Sequence, residues 1–557
     1  MTDMTAFSLN RINAARGNAP ADAVFKNGKI FNPFTCTWDT GTLAVKDGIV
    51  LGIGNYTGKK EYDLDGRYIV PGLIDAHVHI ESSLLTPREY ARLVAQHGTA
   101  TVIADPHEIA NVAGSAGIEF MLSQRAGLPV DIRYMIPSCV PATPMDIGGA
   151  ILDAPDLARF KSCEGVIGLG EMMNFPGVLG ADPAIGKKLN IFSLRDGHAP
   201  MLSGNDLNAY ILAGLQSDHE CTRKVEAEEK LKKGMYIYIR EGSTEHNIEE
   251  LAPLITPLTV SRCCFATDDC HVDLLMEDGH IDRCIRKAIA CGVVPELAIR
   301  VATLSAAERF GLTDRGSFTP GCRADFCVID DPETFIVRQV FVAGKEAGDL
   351  QTGGKTSLPS TFRCTVPSAD AIRIRGTGTA RVIGLVQHQI VTESLQLPLH
   401  ERSQLDHDIL KVVVCNRYGT GACGVGLVRG FQFTAGAIAS SIAHDAHNLI
   451  AVGTSDDAIR RAMGAVIRMQ GGMAAVFEDK ETTLPLDCGG LMSTLPYKEV
   501  AARLQGLHAV TEKMGGIEDP FMYLSFLSLT VIPSLRITER GVFDVGEFTD
   551  VPLFTGT

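Results

Sequence analysis

The sequence predicts an α/β protein built around a parallel (β/α)8 barrel, with a small composite β-domain beside the barrel and a further α/β domain at the C-terminal end. From about residue 69 to 310, short apolar runs alternate with helical stretches, which is typical of repeated β-then-α units. Segments rich in β-forming residues stand on both sides of that region. After about residue 360, apolar runs and amphipathic stretches begin again.

The small β-domain is predicted to be completed from both flanks of the barrel, by residues 1–68 and 311–350. Asn27-Gly28 and Asp47-Gly48 stand between apolar runs, a pattern that favours hairpin turns. A similar apolar run returns at 323–330 and again at 341–345.

The barrel is assigned to residues 69–310. Its predicted strands cover 72–75, 101–104, 132–136, 165–169, 201–203, 235–239 and 264–267. Helices are predicted at 87–96, 118–125, 285–291 and 295–310.

The C-terminal domain is assigned to residues 360–557, after a linker rich in Gly, Thr, Ser and Lys at 350–359. Strands are predicted at 382–388, 409–415 and 424–429, and amphipathic helices at 456–469 and 498–514.

Composition narrows the classes of partner. Among 557 residues, 66 are acidic and 51 are Lys or Arg, so the net charge of −15 argues against nucleic acid or an anionic membrane as the main partner. No uninterrupted apolar run reaches the ~18 residues of a membrane span, and the first residues lack the apolar block of a secretory signal. The fifteen cysteines form no Cys-x-x-Cys pair, so we expect reduced thiols in a cytoplasmic protein.

The motif that carries the most chemical information is His77-x-His79, at the end of a predicted strand. Because side chains alternate along a strand, both imidazoles lie on the same face and can reach one metal ion. Two histidines in a surface loop are the alternative, but the preceding run 71–75 supplies a strand that enters a barrel mouth.

Four further potential ligands appear along the chain, most of them near the end of a short apolar run, and the active sites of barrels lie at the C-terminal ends of strands. They are Glu171, His198, His219 and Asp268. Singly, each has a structural explanation, such as an acid in the first turn of a helix or a hydrogen-bonded histidine in the core. Together with the His pair they suit Zn, Mn or Fe(II), and six ligands are too many for one catalytic ion with an open position. Two ions bridged by Glu171 accommodate them.

Several runs resemble the metal-dependent amidohydrolase superfamily and, within it, the bacterial type of adenine deaminase. The run 71–79 is typical of the superfamily. The runs typical of the narrower family are 80–83, 104–112, 137–143, 170–174, 436–448, 520–522 and 524–527. The resemblance spans about residues 20–550 and implies a barrel of the amidohydrolase type.

The resemblance also implies a ligand set and a reaction. His77, His79 and Asp268 would hold one divalent ion, His198 and His219 the other, and Glu171 would bridge them. Mn(II) or Fe(II) is expected, with Zn(II) as the alternative. Many relatives bridge with a carbamylated lysine, so Glu171 counts against dihydroorotase or hydantoinase activity. The implied reaction converts adenine to hypoxanthine and ammonia.

In that reaction, hydroxide held at Glu171 between the ions attacks purine C6, and Asp268 moves the proton from water to the leaving amine. Side chains near the predicted strand ends form the pool of substrate contacts: Glu81, Ser82, His107, Glu108, Arg240 and Glu241. Structural ion pairs are the alternative role for this pool. The cluster His444, Asp445 and His447 could face the barrel mouth, bind an extra ion or cap a sheet.

Two other functions remain open from sequence. A metal-dependent hydrolase could act on another 6-substituted purine or on a cyclic or N-acyl amide, and a non-enzymatic scaffold would have lost ligands, whereas this chain keeps all six positions. We expect a small-molecule purine as partner, no nucleic acid or membrane, and a homodimer.

Overall fold

The computed structural model describes residues 8–347, 358–399 and 408–555. After a helix at Leu9–Ala15, strands β1 to β5 form the first part of a β-sheet. Their bounds are Ala21–Asn32, Thr37–Lys46, Ile49–Gly54, Gly58–Asp63 and Tyr68–Pro71.

Only one of the two predicted hairpin turns is a turn. Asp47 and Gly48 connect β2 to β3, with positive φ angles of 51° and 78°. Asn27 and Gly28 instead lie inside β1, where the register with β2 shifts between Phe25 and Gly28. Both halves of β1 pair with β2, so the positive φ of Asn27 makes a bulge in a continuous strand and not a reversal of the chain.

Eight strands of the central region, β6 to β13, pair in parallel and form a curled sheet. Their bounds are Leu73–Val78, Thr99–Ala104, Asp131–Ile136, Val166–Met172, Arg195–Gly197, Ser217–Asp218, Tyr236–Arg240 and Cys263–Ala266. The first five are hydrogen-bonded as one sheet and the last three as another. A parallel bridge between Val78 and Asp268 joins β6 to the end of β13, so the predicted barrel is seen as a curled parallel sheet in two pieces.

The predicted strand at 201–203 is wrong. Met201 is exposed and has a φ of 60°, and Ser203 is the N-cap residue of a helix at Gly204–Leu212. The strands at this point are β10 and β11, with the sequences Arg-Asp-Gly and Ser-Asp. They lack an apolar run, so the periodicity of the sequence does not reveal them.

Helical segments connect these strands and complete the region. The α-helices lie at Pro87–Ala95, His107–Ala113, Ser115–Ser123, Ala154–Ala158, Phe175–Leu179, Pro183–Leu189, Gly204–Leu212, Lys224–Lys232, Ile248–Leu251, Val272–Glu277, Ile281–Ala290, Pro295–Arg300 and Ala306–Arg309. Short 3-10 turns lie at Ile80–Ser83, Ala252–Leu254 and Val260–Arg262, and one π-helical turn at Val301–Ser305.

Strands from beyond the barrel region return to the first sheet. They are β14 to β16, at Phe326–Ile329, Val337–Val342 and Lys345–Glu346. Strand β14 pairs antiparallel with β5, so one eight-stranded sheet contains strands from both flanks. We propose on this basis that the flanks, 1–68 and 311–350, form one composite domain.

The C-terminal region contains a second eight-stranded sheet, β17 to β24, and a three-stranded sheet, β25 to β27. Their bounds are Gly378–Leu385, Thr392–Leu399, Ile409–Cys415, Cys423–Arg429, Ala437–Ser440, Leu449–Gly453, Gly472–Phe477, Lys480–Pro485, Leu535–Thr538, Gly541–Asp544 and Thr549–Asp550. Helices lie at Asp456–Met469, Tyr497–Lys513 and Pro520–Phe526. The pairing in the larger sheet is antiparallel except between β17 and β20.

One pair of cysteines departs from the expectation of reduced thiols. Cys415 ends β19 and Cys423 begins β20, and these two residues stand directly opposite each other in the antiparallel register. The structure joins them in a disulfide. Sequence spacing alone did not predict this pair because nothing in it showed that the two strands are neighbours. Most of the predicted linker, 350–359, lies outside the described residues.

The C-terminal region packs on the barrel region through a shared hydrophobic core. One buried cluster contains Leu93 and Val94 from the barrel side and Val452 and Leu504 from the C-terminal side. This packing places the C-terminal chain against the barrel. Within the described ranges, we find no helix with both the length and the apolar character that a membrane crossing requires.

The N-terminal end of strand β8 is held by an ion pair that links the barrel to the segment before β14. Arg315 donates to Asp131 at 2.7 Å and to the hydroxyl of Thr101 at 2.9 Å. Burial opposes ionisation of Asp131, but Arg315 and Arg133 outweigh it and lower the pKa of this carboxyl to about 2.

We therefore predict that Asp131→Asn lowers the free energy of unfolding by about 2 kcal/mol at pH 7. Because the folded pKa lies below the unfolded value, this stabilisation is complete above about pH 4 and is lost as the pH falls toward 2. Urea unfolding of the metal-free protein at several pH values measures it. Asp370→Asn, which removes an exposed ion pair with Arg375, is the control and should cost about 0.5 kcal/mol or less. Equal stability of Asp131→Asn and the parent at pH 7 would contradict this assignment.

Candidate metal centre

The histidines of the His-x-His motif lie at the C-terminal end of β6. His77 and His79 are both buried, and their Nε2 atoms are 3.2 Å apart. The Nδ1 atom of His79 lies 2.9 Å from the backbone carbonyl of Asp105, which can only accept a hydrogen bond. This contact places the proton of a neutral His79 on Nδ1 and leaves the lone pair of Nε2 directed toward His77.

Glu171 lies in β9, and its carboxylate occupies the middle of the cluster. Oε1 is 3.2 Å from His79 Nε2 and 3.7 Å from His77 Nε2. Oε2 is 2.6 Å from His198 Nδ1 and 3.1 Å from His219 Nε2. One carboxylate oxygen therefore faces each pair of histidines, which is the arrangement of a bridging group.

Asp268 reaches the same cluster from the end of β13. Its Oδ1 atom is 3.0 Å from His79 Nε2 and 3.5 Å from His77 Nε2. The backbone of Asp268 hydrogen-bonds His77 and His79 across the bridge between β6 and β13, and its φ is 54°. The strand pairing thus fixes where this carboxylate stands.

The structure brings together all six residues that the sequence singled out as ligands. Potential ligand atoms converge in overlapping groups, among them His77, His79 and Glu171, then His77, His219 and Asp268, and finally Glu171, His198 and His219. Their side chains are all at least nine-tenths buried. Four imidazoles and two carboxylates in so small a volume form a candidate centre for two cations.

The electrostatics show that the carboxylates require positive charge beside them. Burial raises the pKa of Glu171, but His219 and His198 outweigh burial and hold that pKa well below its usual range. The pKa of Asp268 is likewise lowered well below its usual range, since contacts with His77, His79 and Arg240 exceed the effect of burial. In return, Asp268 and Glu171 raise the pKa of His79 well above its ordinary value despite burial. Either protons on the histidines or bound metal ions can supply the positive charge that stabilises these two carboxylates.

A second layer of carboxylates orients this centre. Asp105 accepts a hydrogen bond from the backbone N–H of Glu171 at 2.9 Å. Asp75 accepts hydrogen bonds from the backbone N–H groups of His77 and Thr267, and lies 3.0 Å from His280. Asp75 and Asp105 lie within the runs 71–79 and 104–112, but their supporting role cannot be predicted from those runs because it depends on contacts distant in sequence.

Arg240, a predicted substrate contact, is engaged with the protein's own carboxylates. It forms two hydrogen bonds with Glu220, at 2.6 and 3.0 Å, and one with Asp268 at 2.7 Å. Burial lowers the pKa of Arg240, but Glu220 and Asp268 outweigh it and raise the pKa well above its ordinary value. The sequence reasoning missed Glu220, which directly follows His219 and could have been examined for that reason.

A cavity opens beside the candidate centre. The barrel region supplies a polar wall, and the C-terminal region supplies a largely apolar one. The apolar side chains from the C-terminal region are Ile390, Phe526, Leu529 and Val531, and the polar ones are His444 and Asp445.

The predicted pool of substrate contacts divides in two at this cavity. His107, Glu108 and Arg240 line it. The described residues that line the cavity do not include Glu81, Ser82 or Glu241. Each of these three contacts other residues of the protein. Glu81 accepts a hydrogen bond from the backbone N–H of Ile109, Ser82 donates to Asp269, and Glu241 contacts His246 and Lys287.

Only some residues of the cluster at 444–447 line the cavity. His444 and Asp445 line the cavity, whereas His447 contacts Glu108, with 2.9 Å between His447 Nε2 and Glu108 Oε2. His444 Nδ1 lies 2.7 Å from the other oxygen of Glu108. Histidines from the C-terminal region therefore hold a glutamate of the barrel region from both sides.

Comparisons with known proteins identify the family of this chain. Residues 68–347 match the model of the amidohydrolase family, and residues 389–549 match that of the adenine deaminase C-terminal domain. A solved N-acetyl-D-glucosamine-6-phosphate deacetylase from Mycobacterium smegmatis covers 58% of this chain and all of its own, at 18% identity and a TM-score of 0.46, a likeness too distant for inference.

Curated relatives are far closer in sequence. A protein of Methanoregula boonei named adenine deaminase is 61% identical over 99% of this chain and all of its own length. Another of that name, from Methanoculleus marisnigri, is 58% identical over 92% of this chain and 99% of its own. A third, adenine deaminase 2 of Carboxydothermus hydrogenoformans, is 43% identical over 97% of this chain. The candidate centre described above thus stands in a chain that belongs to the adenine deaminase family.

Proposed function

We propose that this protein hydrolyses adenine to hypoxanthine and ammonia. The observation that carries the proposal is the convergence of His77, His79, Glu171, His198, His219 and Asp268 beside a cavity. Relatives that match nearly the whole chain, and bear the name of this activity, support the choice of substrate.

The residues of the centre fit two divalent ions. The lone pair of His79 Nε2 faces a second ring nitrogen at 3.2 Å, and only a proton or a cation makes such a contact favourable. We assign His77, His79 and Asp268 to one ion, His198 and His219 to the other, and Glu171 to both. Nitrogen and carboxylate donors suit Mn(II) or Fe(II), with Zn(II) as the alternative. A pair of such ions, when bound, lowers the pKa of a shared water and supplies hydroxide at neutral pH.

Asp268 is proposed to move the proton. It accepts the proton of the attacking water and delivers it to the amine that leaves purine C6. Arg240 holds Oδ2 of Asp268 at 2.7 Å, while Oδ1 faces the histidines. This contact orients the carboxylate and keeps it ionised until it receives the proton.

The side chains that line the cavity suit the flat heteroaromatic ring of a purine. Polar side chains surround the reacting end, whereas Ile390, Phe526 and Leu529 supply apolar contacts and exclude water. The net charge of −15 supports a small neutral substrate over nucleic acid. A homodimer in the cytoplasm remains a prediction from the sequence.

We predict that the metal-loaded protein releases ammonia and hypoxanthine from adenine in equal amounts. Chelation should abolish turnover, and Mn(II) or Fe(II) should restore it, because the attacking hydroxide depends on the ions. A coupled ammonia assay together with chromatography of the purine measures both products. Protein with both ion positions filled that fails to act on adenine would refute the proposal.

We predict that Glu171→Gln lowers the metal content from about two ions per chain to about one or fewer, since a neutral amide cannot balance two cations. Elemental analysis after dialysis measures this. Glu241→Gln removes a buried carboxylate outside the cavity and should retain the parent's metal content. If Glu171→Gln kept both ions as tightly as the parent, Glu171 would not be the bridge.

We predict that Arg240→Met shifts the acid limb of the kcat/KM profile to higher pH by about one unit or more. The sign follows because loss of the guanidinium raises the pKa of Asp268, so more alkaline conditions are needed to ionise it. Arg240→Lys keeps the charge and should show a smaller shift. An unshifted limb in Arg240→Met would show that this contact does not control the proton-transfer group.

A further inference from the structure

We propose that Asp445 selects the free purine base, by accepting a hydrogen bond from the N–H group of its five-membered ring. The proposal rests on the proposed deamination of adenine and adds a specificity residue contributed by the C-terminal region.

Asp445 lines the cavity and carries a buried carboxylate oxygen that has no partner among the described residues. The residue lies between β21 and β22, is only 4% exposed and lines the cavity. Its Oδ1 atom is 3.6 Å from His107 Nε2, whereas buried Oδ2 has no hydrogen-bond partner among the described residues. A buried carboxylate oxygen left unsatisfied is costly, so such an atom indicates a place for a ligand's donor.

The loop that carries Asp445 is fixed to the barrel region. His444 and His447 contact the two oxygens of Glu108, at 2.7 and 2.9 Å. The ring of His444 also stacks on Phe526, with centroids 4.7 Å apart. Asp445 is therefore held in place before a substrate arrives, which reduces the entropic cost of binding.

Asp445 lies close to the candidate metal centre. A single imidazole ring, that of His107, lies between Asp445 and Glu171, with contacts of 3.6 Å to Asp445 and 3.4 Å to Glu171. A purine whose C6 lies at the candidate metal centre can therefore direct its five-membered ring toward Asp445. Ile390, Leu529 and Val531 line the same cavity and give it apolar surface.

The chemistry of the donor then decides between ligands. Neutral adenine carries one N–H group in its five-membered ring. A carboxylate can accept a hydrogen bond from that group. A purine substituted at N9, as in a nucleoside, loses that donor and leaves the carboxylate unpaired. Sites built to hydrogen-bond a substrate N–H reject analogues that lack it by large factors.

The experiment compares adenine with 9-methyladenine in the metal-loaded protein. We expect kcat/KM for adenine to exceed that for 9-methyladenine by about 100-fold or more in the parent. Asp445→Ala should reduce this ratio to about 10-fold or less, mainly by raising KM for adenine, while Asp445→Asn, which keeps one acceptor, should give an intermediate ratio. Glu241→Gln, a buried carboxylate outside the cavity, should leave the ratio unchanged.

The outcomes separate this inference from the proposed function. A parent that discriminates weakly, or an Asp445→Ala ratio equal to the parent's, overturns the role of Asp445 while deamination of adenine stands. An equal loss for both purines would assign Asp445 to orienting His107 and also overturns it. If Asp445→Ala does not fold, the ratio for the parent and for Asp445→Asn decides. Absence of turnover of adenine by the parent would instead refute the proposed function.

Discussion

The burial of two carboxylates among four imidazoles is the constraint on which the rest of this structure depends. Glu171 and Asp268 are each less than 5% exposed, and an ionised carboxylate cannot be buried there without compensation. The histidines provide that compensation only when protons or cations accompany them. The strand ends, the supporting carboxylates and the overlying C-terminal region all serve to keep this cluster intact.

The supporting contacts explain how a cluster assembled at the ends of strands is held in place. His77 lies in β6 and His79 directly follows it, Glu171 lies in β9, and Asp268 is joined to β6 by a backbone bridge. Asp75 and Asp105 hold the backbone of the first two segments, so an error in any strand register would displace a ligand. The C-terminal region then lines the cavity with apolar side chains and with Asp445.

The parts of the site that the sequence could predict are those with a local pattern. His77-x-His79 depends only on the two-residue period of a strand, and Glu171 and Asp268 follow apolar runs that become strands. His198 and His219 can be predicted as ligands although β10 and β11 have no apolar run, because an imidazole is a potential ligand by its residue type. Such short polar strands are defined by their neighbours, so the strand was placed wrongly at 201–203.

Features that depend on contacts distant in sequence could not be derived in the same way. The alternation around Asn27-Gly28 fits a turn as well as a bulge, and only the pairing of β1 with β2 decides between them. Position after strands is the only basis for the pool of substrate contacts, and the structure does not place Glu81, Ser82 and Glu241 among the described residues that line the cavity. Whether Asp445 faced the barrel mouth was open in the sequence, because that depends on how the C-terminal region packs.

The most direct test of the two-ion centre is an anomalous diffraction map, recorded at the manganese edge from crystals of the Mn(II)-loaded protein. This account predicts two peaks, one among His77, His79 and Asp268 and one between His198 and His219, each within about 2.3 Å of an oxygen of Glu171. A single peak, or a second peak that has no contact with Glu171, would contradict it.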